Sequence, residues 1–345
     1  MTDCNVLIVG GGLSGSSAAN HLERLGVKGV VVLERLSEGP HRRYHSICGE
    51  AVSDRMLRLS GFQPSRIVRR VESIEIVAPS GSSTSISVRG AVIDRNALIA
   101  EMRAGSGAEY VKAVATSVET VDGGYLVRTD AGDYRCRYLV GADGAHSVVR
   151  RDIFGSRPMK LVPTVNHIVE GQSDGVLRFR LSERYRGGYR WEFPSEDGLM
   201  SVGHVKDTDT VEGYISRGAR NIPIGRLPSV SDGNCVLVGD AASLCNPLCF
   251  GGIGVALLSG RKAAEGIASG SFERYSRWIR RDRTFDPRFM DAHETFTRWT
   301  DAEMEEALSL LAGRASIPKG FVAILRRPKW ANIYMACWFG FGRGW

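Results

Sequence analysis

The 345-residue chain lacks the marks of several large protein classes. Its seven cysteines, at 4, 48, 136, 235, 245, 249 and 337, are odd in number and share no repeated spacing, which argues against a disulfide framework. No C-x-x-C occurs, and Cys245-x-x-x-Cys249 has no second Cys or His pair to complete a zinc site. The lone histidines His45, His146 and His204 have no ligand spacing either, so no metal is expected. A reducing compartment is the simplest setting. No apolar stretch reaches the length of a membrane span. Met1 runs almost directly into an apolar strand without a signal-peptide pattern, so a cytoplasmic setting is expected. Internal repeats are absent, as are basic tracts with interleaved aromatics, and no nucleic-acid partner is expected.

What is present is ordinary in bulk and unusual in detail. Hydrophobic content of 43% and charged content of 24% fit a globular protein, long enough for two domains or one with an insertion. Glycine is abundant, at 41 residues. The net charge of +7 serves solubility or draws an anionic partner: a nucleotide, a membrane surface or an acidic electron donor.

The most informative stretch is the first forty residues. Val6-Leu7-Ile8-Val9 reads as a buried parallel strand and meets Gly10-Gly11-Gly12-Leu13-Ser14-Gly15, then the small-residue helix start Ser16-Ser17-Ala18-Ala19. A second apolar run, Gly29 to Leu33, ends at Glu34 and Arg35, with Glu34 nineteen residues past Gly15. Strand, G-x-G-x-x-G, helix, strand and acid, in that order, form a dinucleotide-binding βαβ unit. Gly10 permits the tight turn, Gly12 lets a pyrophosphate approach the backbone, and Gly15 lets helix and strand pack closely. The helix start, with Leu13 and Ser14, offers unpaired N–H groups to phosphate. Glu34 suits a ribose diol.

Further along, 37–55 reads as a polar loop over the cofactor. Ser73 to Val88 alternates around Pro79-Ser80-Gly81 as a hairpin. Val92-Ile93-Asp94-Arg95 leads into a helix from Asn96 to Arg103. Strands are expected at 111–115 (ending at Ala115), 117–121, 125–129 and 138–140, the last meeting Gly141-Ala142-Asp143-Gly144. From about 157 to 228 the chain reads as strands with aromatics, at 165–170, 176–181, 188–193 and 200–204. Cys235 to Val238 is one more buried strand, meeting Gly239-Asp240-Ala241-Ala242 and a helix over 251–269. The expected fold is α/β. A Rossmann-like domain is built from residues 1–72, 90–156 and 230–270. An antiparallel β-sheet substrate domain (73–89 and 157–229) is inserted, and a helical region (271–345) follows.

Asp240, at the end of a parallel strand, points into the crevice where ligands bind, or else caps a helix. The following Asn246-Pro247-Leu248-Cys249-Phe250-Gly251-Gly252-Ile253 favours the first reading, because glycines opening a helix present N–H groups to negative charge. Tyr189, Trp191 and Phe193 alternate and so share one strand face, as ordinary sheet core or as a cavity wall. Cys48 is a small buried residue or faces a ligand from the loop His45 to Glu50. Arg95, and Arg42 or Arg43, are candidates to meet phosphate.

Together the G-x-G-x-x-G…Glu34 start, Gly141-Ala142-Asp143-Gly144 and Gly239-Asp240-Ala241-Ala242 resemble FAD proteins of the para-hydroxybenzoate hydroxylase fold. Two details are similar to the geranylgeranyl reductase family: Tyr189-Arg190-Trp191-Glu192-Phe193-Pro194 and Cys48-Gly49-Glu50. The resemblance covers roughly residues 4 to 268. It departs at Arg186, where the family pattern has proline, and at Ser243, where glycine is frequent. The resemblance implies FAD held by Gly10, Gly12, Leu13, Ser14, Gly15, Glu34, Arg35, Cys48, Gly49, Arg95, Ala115, Asp143, Gly239, Asp240, Pro247, Gly251, Gly252 and Ile253. It implies an isoprenoid chain against Tyr189, Trp191 and Phe193, with Cys48 and Glu50 as candidate catalytic residues. The expected reaction is reduction of geranylgeranyl double bonds in lipids, with electrons from NADPH or a ferredoxin-like donor. A flavin monooxygenase or halogenase, and a non-catalytic lipid-binding flavoprotein, are the rivals. The tail Arg326-Arg327-Pro328-Lys329-Trp330…Tyr334…Trp338-Phe339…Phe341 suits either an anionic membrane surface, giving peripheral attachment, or a helix docked on the substrate domain.

Overall fold

The computed structural model describes residues 1–343 and 345. Its first sheet is parallel at its centre. β1 (Thr2–Val9) pairs with β2 (Val30–Glu34), Val6 opposite Val30, and both carry fully buried apolar runs. Strands apolar on both faces suit a sheet covered by helices on both sides. Between them lies α1 (Leu13–Arg24), whose small residues from Ser14 to Ala19 are all buried. The next elements are α2 (Glu38–His45), β3 (Ala51–Ser53) and α3 (Asp54–Ser60). The polar loop expected over 37–55 is therefore a helix and a short strand. In α2, Glu38 in the first turn and Arg42 and Arg43 in the last complement the helix dipole.

β4 (Ile67–Val77) and β5 (Ser83–Ile93) form the expected hairpin, but each strand is longer than the alternation shows. α4 (Arg95–Ala104) is capped by Asp94, whose side chain accepts the Ala97 N–H. β6 (Glu109–Lys112), β7 (Ala115–Val121), β8 (Gly124–Thr129) and β9 (Tyr134–Gly141) then complete most of the first sheet, and α5 (Val148–Phe154) follows. The second sheet continues with β10 (Lys160–Glu170), β11 (Val176–Arg180), β12 (Arg190–Pro194), β13 (Leu199–Val205) and β14 (Tyr214–Ile224). β14 has no counterpart in the sequence reading. It is an edge strand, largely exposed along Tyr214–Arg217, and carries Gly218 and Pro223, so it shows no apolar alternation. β15 (Ser231–Asp232) and β16 (Cys235–Leu237) return to the first sheet.

Among the described residues the two sheets run β15-β16-β9-β1-β2-β6 and β14-β10-β13-β12-β11-β4-β5-β17, where β17 is Gly313–Arg314, with β7 and β8 attached to the first and β3 to the second. Thus the second sheet takes in segments from Ala51 onward, reaching beyond the expected 73–89. α6 (Ile253–Ser269) packs on α1 so closely that a Cβ at Gly260 would overlap the Ser14 carbonyl, and Ser17 Oγ donates to Leu257 O at 2.7 Å. The chain ends in α7 (Glu273–Arg281), α8 (Arg288–Arg298), α9 (Asp301–Ser309), β17 (Gly313–Arg314), α10 (Ile317–Arg326) and α11 (Ala331–Arg343). Trp330, Tyr334 and Phe341 are buried, so for these the docked reading of the tail is the observed one. No described helix is long and apolar enough to cross a membrane.

Candidate functional site

Strand register brings three distant glycine turns together. Val9 lies opposite Gly141, and Gly141 opposite Leu237. Gly10, Ala142-Asp143 and Gly239-Asp240 therefore leave the same ends of three neighbouring parallel strands, where open α/β sheets bind ligands. Gly10 has φ +105°, and a Cβ there would overlap Ala142 O; a Cβ at Gly15 would overlap Gly10 O. Gly12 is the N-cap of α1 and offers no side chain to its first N–H groups. Glu34 accepts from Gly11 N at 2.9 Å and Leu36 N at 2.8 Å, which holds the carboxylate over the turn with lone pairs to spare.

Positive charge gathers here. His45 is buried beside Gly12, its Nδ1 has no partner among the described residues, and its pKa is driven far down by burial, then by Arg95 and Arg220. Arg95 is buried and donates through Nε to His45 O at 2.7 Å, with a second contact from Nη2. Arg103 Nη2 donates to Gly11 O at 2.8 Å. Among the described residues, the carboxylate within ion-pair distance of Arg95, Arg103 or Arg220 is that of Glu50, 3.9 Å from Arg95 Nε. A helix start beside clustered arginines fits a pyrophosphate.

The ring side is also left open. The Asp240 carboxylate makes no hydrogen bond among the described residues, while the backbone O accepts from Ser243 N at 3.1 Å and from Arg150 Nη1 at 3.5 Å. Burial raises its pKa, with Arg220 and Arg95 opposing. Gly252 lines the cavity and starts α6 without a side-chain cap, whereas Asn246 Nδ2 and Ser243 Oγ, without partners among the described residues, are buried outside the lining. A carboxylate and an uncapped helix start on one cavity are groups that a bound flavin dinucleotide would satisfy.

The aromatic wall is built by β12 and its neighbours. Tyr189, Trp191 and Phe193 are buried on one side, while Arg190 and Glu192 pair with Asp209 and Arg180 on the other. Tyr189 Oη donates to Cys249 O at 2.6 Å and its ring stacks on Phe250 at 5.2 Å. Trp191 Nε1 donates to Asn166 Oδ1 at 3.0 Å, which also accepts Ser201 Oγ at 2.7 Å. One cavity of about 390 Å³ runs from Gly10, Glu34 and Arg35 past Asp240 and Gly251-Gly252-Ile253 to this wall. Phe179, Arg220 and Trp345 also line it.

Cys48-Gly49-Glu50 joins the two ends. A Cβ at Gly49 would overlap the Phe193 ring, so the loop lies flat on the wall. Cys48 Sγ lines the cavity and accepts the Glu50 N–H at 3.4 Å. Glu50 has φ +55°, and its carboxyl is raised to about 7 by burial, against the opposing charge of Arg95. Phe250 also has positive φ, so two strained non-glycine residues line this crevice. Ser243, where glycine is frequent in the family the sequence resembles, sits at φ +55°.

Ala115 and Asp143 line the cavity, but Asp143 is committed to the start of α5, accepting Ser147 Oγ at 2.5 Å and Val148 N at 2.6 Å. Gly239 and Pro247 lie outside the lining. Gly239 packs where a Cβ would meet Ser14 Oγ, and its N–H donates to Ser259 Oγ at 3.0 Å. Arg42 and Arg43 are exposed on α2, away from the cavity. Sequence reasoning misses Arg103, Asn166, Phe179, Arg220 and Trp345. Asn166 leaves a faint signal, a lone amide in an apolar strand; Trp345 leaves none.

Residues 3–61 match the FAD binding domain family. Digeranylgeranylglycerophospholipid reductase 1 of Methanothermobacter thermautotrophicus is 29% identical, over 78% of this chain and 79% of the relative. The chain is thus similar to this reductase over most of its length. Reductase 2 of the same organism is 27% identical over 93% of this chain and 95% of its own length. A geranylgeranyl bacteriochlorophyll reductase-like protein from Thermoplasma acidophilum shares the fold of this flavoprotein, with a TM-score of 0.79 at 21% identity over 94% of this chain and 96% of that one. The flavin-dependent brominase Bmp2 has a TM-score of 0.69 at 16% identity, over 97% and 94%. The scaffold is thus shared with oxidative enzymes, and the fold by itself does not choose the reaction.

Proposed function

We propose that the chain is an FAD-dependent reductase that saturates carbon–carbon double bonds of geranylgeranyl chains on ether-type membrane lipids. The observation that carries the reading is the single cavity joining the dinucleotide cradle to the aromatic wall. The α1 start with Gly12, Leu13 and Ser14 would hold the pyrophosphate, Glu34 the ribose, Asp240 the ribityl chain, and Gly251-Gly252-Ile253 the ring edge. When bound and reduced, FAD supplies a hydride donor, and NADPH or a ferredoxin-like protein would supply its electrons.

This chain's own residues do the rest. Tyr189, Trp191, Phe193 and Phe179 give an extended hydrocarbon a dry surface and keep water from the reacting carbon. Saturation also needs a proton. Glu50, with its pKa raised to about 7, keeps one at neutral pH. Cys48, one short step away on the cavity surface, fixes the loop that presents it.

The test is anaerobic. The flavin-loaded protein is reduced with dithionite and given an unsaturated archaeal-type lipid. Lipid mass should rise by two hydrogens per bond as flavin reoxidises. Reoxidation only on admitting oxygen, with a hydroxylated or halogenated product, would overturn the reading in favour of a monooxygenase or halogenase. Bound lipid with flavin that resists reduction would favour a non-catalytic role.

A further inference from the structure

We propose that α10 docks the enzyme on a bilayer carrying anionic lipid, laying its exposed apolar stripe in the interface. The proposal deepens the reading of a membrane-lipid substrate and rests on it for the choice of partner.

Ile317, Phe321 and Leu325 recur every four residues and so lie on one face of α10. They are 62%, 65% and 77% exposed, with Val322 beside them at 43%. The opposite face is anchored. Ala323 is fully buried, and Ile324 packs on the cluster of Trp299, Trp330 and Tyr334. The helix is fixed at its start as well: Gly313 in β17 pairs with Thr84 in β5, and Ser316 caps the first turn through the Lys319 N–H. A moored helix that turns large apolar side chains to water marks an interaction surface rather than a frayed end.

Charge identifies the partner. After Glu306 the chain has no acidic residue, yet it carries Arg314, Lys319, Arg326, Arg327, Lys329 and Arg343. The rest of the chain holds the other 39 of 45 basic residues against all 38 acidic ones, so it is nearly neutral (39 − 38 = +1). Six of the seven net positive charges therefore belong to the segment that presents the stripe. Arg314, Arg326 and Lys329 have no carboxylate partner among the described residues, whereas Arg327 pairs with Glu306 at 2.8 Å. Apolar side chains flanked by unpaired cations fit an acyl boundary beneath anionic headgroups. A surface built this way also answers a need of the proposed substrate, whose isoprenoid chain must leave a bilayer to reach the cavity.

The experiment is co-sedimentation of the flavin-loaded protein with phosphatidylcholine vesicles, with and without phosphatidylglycerol. Wild type should bind the anionic vesicles, weakening as salt rises, and scarcely bind the neutral ones. Phe321→Ser/Leu325→Ser should abolish binding with flavin content unchanged. Arg326→Gln and Lys329→Gln should each weaken it by about fivefold. Turnover of detergent-dispersed lipid should survive in all of them. Wild type that ignores anionic vesicles while reducing dispersed lipid would overturn the docking and leave the reductase reading intact. Binding that the stripe variant breaks, without any lipid reduction, would keep the docking and sink the reductase. A wild-type dimer in sedimentation that the stripe variant dissociates, with vesicle binding untouched, would reassign the face to a second copy of the chain.

Discussion

The two ends of the cavity are made from different materials. At the dinucleotide end the chain works with backbone: glycine turns, two uncapped helix starts and peptide N–H groups aimed inward. At the far end it works with side chains: Phe179 meets Tyr189 and Phe193 edge to face, Phe250 stacks on Tyr189, and Trp345 joins the lining. Backbone sites tolerate no added atom, because a Cβ at Gly10 or Gly15 would strike the backbone of the neighbouring turn. Side-chain sites tolerate change at a graded cost, because each ring supplies part of one surface. The cradle should therefore fail abruptly and the wall by degrees.

The largest effect is expected where the cradle is tightest. Gly15→Val places its Cβ on the Gly10 carbonyl, and the purified variant should carry no flavin absorbance. Retained flavin would erase the contrast. At the wall, Trp191→Ala should keep flavin, lose about 3 kcal/mol of stability by denaturant unfolding, and slow lipid reduction. Its lost partner, Asn166, adds to the cost.

The loop between the ends sharpens the comparison. Glu50→Gln should load and reduce flavin normally but lower lipid reduction by about a hundredfold. Wild-type lipid reduction should fall as pH rises through about 7, since the donor must be protonated, and the variant should not show that step. Stability follows the same sign. The folded-state pKa of Glu50 lies above its ordinary 4.5, so its stabilising contribution is full below 4.5 and lost as pH rises through about 7. A pH series of melting temperatures on wild type and variant would read it. The smallest effect is a gain: Ser243→Gly relieves φ +55° and should stabilise the protein by about 1 kcal/mol.

The same division governs what the sequence discloses. The cradle is legible because its constraints are local: Gly10, Gly12 and Gly15 stand at fixed offsets between an apolar strand and a small-residue helix. The wall is half legible. Tyr189, Trp191 and Phe193 share a strand face by period alone, but Phe179, Asn166 and Trp345 join them only through sheet pairing and the docking of α11. Gly90 and Trp345 lie 255 positions apart, yet a Cβ on the first would strike the indole of the second. Arg103 and Arg220 escape for a similar reason, since each is one arginine among many until the fold points it at α1. β14 escapes because an exposed edge strand has no buried face to impose alternation. The reading of 37–55 as a loop fails because Gly39-Pro40 marks a turn and a helix start equally well.

The most direct test of one cavity serving both ends is the rate at which dithionite-reduced flavin reoxidises when lipid is added without oxygen, in wild type and in Trp191→Ala. Reoxidation that rises with lipid concentration in wild type and slows in the variant is the predicted result. Flavin that stays reduced in both until air is admitted would contradict the account.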